Sequence, residues 1–316
     1  FMKDSGDRAR GISAALASAL FLGVLPVLGK QAILSGFTPF AVVAIRSFLA
    51  VTFLFLYMRI FGVSLYMYPV GLIGCMFAGL MNGIGSVFYY LALARLDAGI
   101  GHLLYSFYPL FLAGWLLLDR QPISRVTLFR LALAIPGAFL LLRTTTAGVD
   151  LTGAIFMLVS AAFYALHLLI NQRVLFEAPA PTVTFYTLLS MSATVTIAYF
   201  LFDHTPPPAQ AAWFSLVAMA LITFLSRLTL FMGIKKLGGM QTAILGLGEI
   251  IVTLLLSFTL LHEKFSMLQW FGAALIGASL VLVGFDHYTP EKRAHTGIFA
   301  WLNAPRISPL NLPWQK

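Results

Sequence analysis

The sequence predicts an all-α integral membrane protein with ten transmembrane helices arranged as two inverted five-helix repeats. Three observations carry that prediction. The 316 residues are 60% hydrophobic and only 10% charged, and the mean hydropathy of +0.91 lies outside the range of water-soluble domains. Apolar stretches long enough to cross about 30 Å of hydrocarbon as helices recur from Gly11 to Phe285 with little chain between them. One stretch late in the first half can also be laid over another late in the second.

Taken in order, the spans are 11–29, 38–58, 69–93, 99–118, 125–142, 152–172, 183–202, 212–234, 240–261 and 267–285. The first is as long as the others and lacks a clear small-residue cleavage site ahead of a soluble domain, so it is expected to stay in place rather than be removed as a signal peptide. The second carries Arg46. The third contains Cys75, the one cysteine, which excludes an intramolecular disulfide and reads as a small packing residue. The third, ninth and tenth spans hold Gly79, Gly83, Gly85, Gly246, Gly248, Gly272 and Gly277, residues that let membrane helices approach closely. Internal Gly and Pro do not argue against helix here, because neighbouring segments satisfy the freed backbone groups.

The net charge of +9 reports orientation rather than a nucleic-acid partner. With the N-terminus inside, Lys3, Arg8, Arg10, Arg59, Arg120, Arg125, Arg173, Lys235, Lys236, Lys292, Arg293, Arg306 and Lys316 fall on the cytoplasmic side, thirteen in all. Lys30, Arg95, Arg143 and Lys264 fall on the other, and Arg46, Arg130 and Arg227 lie within spans. Basic residues favour the cytoplasmic side, so both termini are expected there, most simply in a bacterial inner membrane.

The internal match pairs "LARLDAGIGHLLYSFYPLFLAGWLLLDRQPIS" with "IKKLGGMQTAILGLGEIIVTLLLSFTLLHEKFS", with one residue of adjustment near the end. Five spans per copy is an odd number, so the second copy enters the membrane from the opposite face. The expected organisation is an N-terminal segment 1–10, a first repeat 11–143, an external linker 144–151, a second repeat 152–285 and a cytoplasmic tail 286–316. The tail, with four prolines and with Trp301 and Trp314, reads as a segment resting on the membrane interface.

"TPFAVVAIRSFLA" with Pro39 and Arg46, Tyr108-Pro109 in the fourth span, Glu249 at the equivalent place in the ninth, and the "HEKFS" that follows it are motifs by which the chain resembles an EamA-type member of the drug/metabolite transporter superfamily. The resemblance covers residues 11–285. It implies transport of a small molecule by alternating access, with a cavity lined by helices three, four, eight and nine and parts of one and six. It also implies a holding role for Arg46 between helices.

An ionisable residue inside a membrane costs about 2.5–3.5 kcal/mol on insertion scales, which makes Glu249 a site candidate. Arg227 lies eleven residues before Gly238 and Glu249 eleven after it, so both sit about 16 Å from that turn at 1.5 Å per residue. Either they lock to each other, or Arg227 snorkels to the cytoplasmic surface and never meets Glu249, or Glu249 faces a cavity. His102 and Tyr105, with Tyr108 beside them, and Asn82, Ser86, Tyr89 and Tyr90 on helix three, form aromatic and polar stripes. Such tyrosines serve equally as cavity wall or as interface anchors. Tyr164, His167 and Asn171 recur at helical spacing, and His167 is either a proton-coupling group or a neutral packed histidine. The candidate cavity set is Asn82, Tyr89, His102, Tyr105, Tyr108, Tyr164, His167, Arg227 and Glu249.

No HExxH, metal-spaced cluster or nucleophile elbow is present, and "GLMNGIGS" lies inside a span, so neither an enzyme nor a nucleotide or metal cofactor is expected. The expected function is secondary transport of an amino acid, amine or similar amphipathic solute, as export rather than import, with proton or counter-substrate coupling open. The alternative is a non-transporting membrane scaffold that keeps the fold. The charge distribution predicts that a reporter active only in the cytoplasm works when fused to either terminus and is silent when inserted in the 144–151 linker; the reverse pattern would overturn the orientation.

Overall fold

The computed structural model describes residues 2–120, 123, 125–142, 150–208, 213–260, 266–282 and 297–302. Arg143, Lys264, the side chain of Arg130 and the rest of the C-terminal tail lie outside the described residues. Among those described, all regular structure is helical: α1 (Met2–Leu34), α2 (Pro39–Ile60), α3 (Pro69–Arg95), α4 (Ala98–Tyr105), α5 (Tyr108–Leu118), α6 (Arg125–Leu142), α7 (Leu151–Leu175), α8 (Ala180–Phe202), α9 (Trp213–Leu237), α10 (Gly239–Gly246), α11 (Gly248–Leu260) and α12 (Met267–Val281). Seven helical segments among them are long and apolar enough to cross a membrane, α10 and α11 counting together as one.

Helix starts follow local chemistry. The Thr38 hydroxyl accepts from Ala41 N–H at 3.2 Å ahead of Pro39, and α3 also opens on a proline. The Asp150 carboxylate accepts from the N–H groups of Thr152 and Gly153 at 2.9 and 3.3 Å, and Arg95 pairs with it at 3.1 Å. That arginine holds the Asp150 carboxyl below the usual carboxylate range. Lys30 turns its ammonium onto the Leu93 and Leu96 carbonyls at 2.9 and 2.8 Å, capping the end of α3.

The first helix differs from the expected span 11–29: it continues back to Met2. A helix does not stop where hydropathy falls, and here Asp7 pairs with Lys236 at 2.6 Å on the outgoing end of α9.

Spans four and nine are each broken. The fourth span breaks at Pro109, whose ring crowds the Tyr105 carbonyl in a continuous helix: α4 ends at Tyr105 and α5 begins at Tyr108, whereas Pro26 and Pro136 lie inside α1 and α6 without a break. In the ninth span Gly246 and Gly248 flank Leu247, where α10 ends and α11 begins. Offsetting α4 by 141 residues, the shift of the internal match, turns 98–105 into 239–246, which is α10.

Packing is dominated by pairs that join the two halves: α1 with α9 and α11, α2 with α8 and α9, α3 with α7 and α8, α5 with α7, and α6 with α12. Exchanging each helix for its counterpart maps this set onto itself: α1·α9 becomes α7·α3, α2·α9 becomes α8·α3, and α1·α11 becomes α7·α5. Glycines set the closeness. A Cβ on Gly79 of α3 would strike the Thr187 carbonyl of α8, and one on Gly23 of α1 would lie 2.6 Å from the Glu249 carbonyl of α11. Hydroxyls bridge the same seams, from Ser18 to the Ser226 carbonyl at 3.0 Å and from Thr253 to the Gly23 carbonyl at 2.8 Å. The outer surface presents Phe48, Phe55, Phe200, Phe214 and Phe271, the apolar exposure that a lipid environment requires.

At the end of the bundle that holds Lys236, Arg173 of α7 and Asp119, beyond α5, form a buried pair at 2.7 Å. The other oxygen of Asp119 accepts from Phe299 N–H at 3.0 Å. Leu302 is fully buried against Gly74, Ala78, Ile170 and Val174. The described part of the tail therefore docks on the bundle. Breaking a buried pair from one side leaves a charge without its partner, so Arg173→Met is expected to cost about 3–5 kcal/mol. Leu302→Ala, which leaves a cavity, should cost about 2–5 kcal/mol. Thermal melting in detergent measures both, and an unchanged melting point for Leu302→Ala would mean that the tail does not stay docked.

Candidate functional site

Where the halves meet, a cavity of about 50 Å³ opens among Leu22 and Leu25 of α1, Arg46 of α2, Asn82, Gly85, Ser86, Tyr89 and Tyr90 of α3, His102 and Tyr105 of α4, Ser160 and Tyr164 of α7, Arg227 of α9 and Glu249 of α11. That volume holds a few water molecules. Its walls are polar and aromatic in a molecule whose outside is apolar.

Glu249 is placed by the break in the ninth span. It is the second residue of α11, where unpaired N–H groups of a helix start favour a carboxylate. It is 1% exposed, and its Oε1 lies 3.6 Å from His102 Nε2. Neither atom has a hydrogen-bond partner, and the other ring nitrogen of His102 lies 3.4 Å from the Tyr89 hydroxyl. His102 owes its place to the matching break: α4 is a short helix whose ring-bearing face stacks His102 on Tyr105 at 5.8 Å.

Two arginines line the same space, 3% and 6% exposed. Arg46 donates from Nη1 to Thr223 Oγ1 at 2.9 Å and lies over the Tyr90 ring at 5.3 Å, with its Nε unpartnered. Arg227 lies over the Tyr164 ring at 5.2 Å, and its Nε and Nη1 are unpartnered. Arg227 and Glu249 sit in one cavity without an ion pair within 4.0 Å, although the depth arithmetic about Gly238 places them level. Gly238 is the pivot of that hairpin, at a φ of +86° that suits glycine.

Of the nine residues singled out in the sequence, Asn82, Tyr89, His102, Tyr105, Tyr164, Arg227 and Glu249 line the cavity. Tyr108 and His167 stand one layer behind, in a ring cluster that runs from Tyr105 through Tyr164 to His167 and Phe231. His167 Nδ1 meets the Tyr164 carbonyl at 2.8 Å, and the His167 carbonyl accepts from Asn171. Tyr90 and His102 are buried inside the bundle rather than turned to its outer surface. Arg46 and Ser160 were not in the candidate set. The intramembrane-charge rule that flagged Glu249 applies equally to Arg46.

Tyr108 has a structural task that the break explains. The N–H of Leu247 turns to the Ile244 carbonyl at 3.2 Å, which frees the Ala243 carbonyl, and the Tyr108 hydroxyl donates to that oxygen at 2.7 Å. A Cβ on Gly246 would occupy the place of this hydroxyl. One broken helix thus caps the other across the halves.

A family model described as the EamA-like transporter family matches residues 9–143 and 151–285. An uncharacterized transporter of Synechocystis sp., sll1319, is 24% identical over 230 residues, which are 69% of this chain and 67% of that one. The uncharacterized transporter YcbK of Bacillus subtilis is 24% identical over 210 residues, 63% of this chain and 66% of its own length. A crystal structure of a protein 17% identical superposes with a TM-score of 0.68 over 89% of this chain and 98% of that chain, a likeness of fold alone.

The Tyr108 bond gives a graded prediction for the breaks. Tyr108→Phe removes one buried hydrogen bond and should cost about 1–3 kcal/mol, since the Ala243 carbonyl is left unsatisfied. Gly246→Ala should cost more, because the new methyl displaces the whole ring. Melting points in detergent rank the two, and equal stability of Gly246→Ala with the parent would show that the hydroxyl is not seated there.

Proposed function

The chain belongs to the EamA-like transporter family, and on that premise we propose that it is a secondary transporter that moves a small organic metabolite by alternating access between two inverted repeats. The observation that carries this reading is the position of the cavity. Its walls come from both matched segments: Leu22 through Tyr105 from residues 9–143, and Ser160, Tyr164, Arg227 and Glu249 from residues 151–285. A site shared between two bundles changes its exposure when one rocks on the other.

The ten-span inverted arrangement, with repeats at 11–143 and 152–285, both termini in the cytoplasm and a bacterial inner membrane around it, belongs to the same proposal. The 141-residue offset that superposes α4 on α10 and the exchange symmetry of the helix contacts support it. The substrate is an amino acid, amine or similar amphipathic solute, and export is the direction we propose. A scaffold reading would be favoured by a closed Arg227–Glu249 lock, and these two groups share the cavity without pairing.

In this account Glu249 and Arg227 are substrate-facing groups, with Asn82, Tyr89, His102, Tyr105 and Tyr164 around them and Tyr108 and His167 as support. Counterflow in proteoliposomes against amino acids and amines tests it. The parent should accumulate labelled solute, whereas Glu249→Gln should lose at least about 90% of the rate, in line with losing a group worth about 1.4 kcal/mol or more. Full transport by that variant would remove Glu249 from the site, and absence of flux for every solute in the parent would favour the scaffold.

A further inference from the structure

The cavity holds more positive than negative charge. Two guanidinium groups line it, and arginine keeps its proton in proteins. Against them stands one carboxyl, Glu249, and the one histidine in the lining adds only positive charge when it ionises. With the four wall tyrosines in their ordinary neutral form, the described residues of the walls therefore carry at least one positive charge in excess whether or not Glu249 and His102 are ionised. Such an excess inside a membrane is costly unless something offsets it.

The arginines are also incompletely used. Arg46 spends one nitrogen on Thr223, while its Nε has no acceptor, and Arg227 leaves Nε and Nη1 without acceptors although the residue is buried. Buried donors with no acceptor are rare in proteins and call for an explanation. Tyr90 and Tyr164 cover one face of each guanidinium, an arrangement that holds the planar group in place and leaves its edge for bonding.

We infer that the ligand of this cavity carries a single carboxylate, held by the Arg46 and Arg227 guanidinium edges, with the rest of the solute against the tyrosine wall. The inference rests on the reading of this cavity as the substrate site and narrows it: a free amine or quaternary ammonium compound would face two like charges. One carboxylate matches the excess that remains when Glu249 is ionised, and its planar oxygens suit the guanidinium fork. Glu249 and the tyrosines are then available to an ammonium group on the same molecule, which makes a zwitterion the best fit.

The test is ligand-induced stabilisation of the purified protein in detergent, using the twenty common amino acids, their carboxamides and the amines obtained by removing the carboxyl group. A ligand of the native state raises the melting point by mass action. At least one amino acid should stabilise the parent while its amide and its amine do not. Arg227→Lys keeps the charge but loses the fork, and should weaken that binding on the order of ten-fold or more, with an unliganded melting point close to the parent's. Arg46→Lys gives an independent reading should the first variant fail to fold.

Equal stabilisation by the amine or amide, or by no carboxylate in the panel, overturns the inference, as does undiminished binding in the folded lysine variants. The same panel in counterflow separates this result from the transport reading. Carboxylate binding without flux upholds the ligand class and defeats transport, whereas flux confined to amines or amides upholds transport and defeats the ligand class.

Discussion

A charge that faces lipid has nowhere to send its field, and this constraint organises the whole molecule. The described helices turn phenylalanine and leucine outward and collect Arg46, Arg227, His102 and Glu249 where the halves meet. The same constraint accounts for the ends of the bundle: Lys30 satisfies carbonyls at the close of α3, Arg95 pairs with the Asp150 cap, and Arg173 with Asp119. Among the described residues, charges appear at the two ends of the bundle, where partners are available, or at the centre, where a cavity is.

The broken helices turn that placement into a site. A continuous ninth helix would bury Glu249 among intrahelical bonds. The break at Leu247 makes it an N-terminal residue of α11 and leaves a carbonyl on α10 that Tyr108 of the first half must cap. The first half repeats the device with Pro109, and so brings His102 to within 3.6 Å of Glu249. The breaks and the central cavity belong together: His102, Tyr105 and Glu249 reach the lining from the two broken rods, and Arg46, Asn82, Ser160, Tyr164 and Arg227 from continuous ones.

Much of this was legible in the sequence, because a hydropathy signal averaged over a whole span survives local irregularity. Depth was legible too, since rise per residue is fixed, and the level of Arg227 and Glu249 followed from counting about Gly238. Rotation was not. Each residue turns a helix by 100°, so a span end uncertain by two residues leaves the facing direction open, and counting could not separate Tyr105, in the wall, from Tyr108, behind it. Although Pro26 and Pro136 lie inside unbroken helices, the break at Pro109 has a residue that marks it. The one at Leu247 does not, because glycines in membrane helices are common without breaks. The seat of Leu302 against Gly74 and Ile170 depends on contacts between residues far apart in the chain, which no local pattern carries.

The proposed transport cycle requires the central cavity to open to each side of the membrane in turn. Thiol labelling of one cysteine placed at Ser160, with Cys75 replaced by alanine, measures this most directly, since Ser160 lines the cavity and Cys75 is the chain's sole cysteine. A membrane-impermeant reagent should reach that position from the cytoplasmic side and, in separate vesicles of opposite orientation, from the external side. Labelling from neither side, or from one side alone under all conditions, would contradict alternating access.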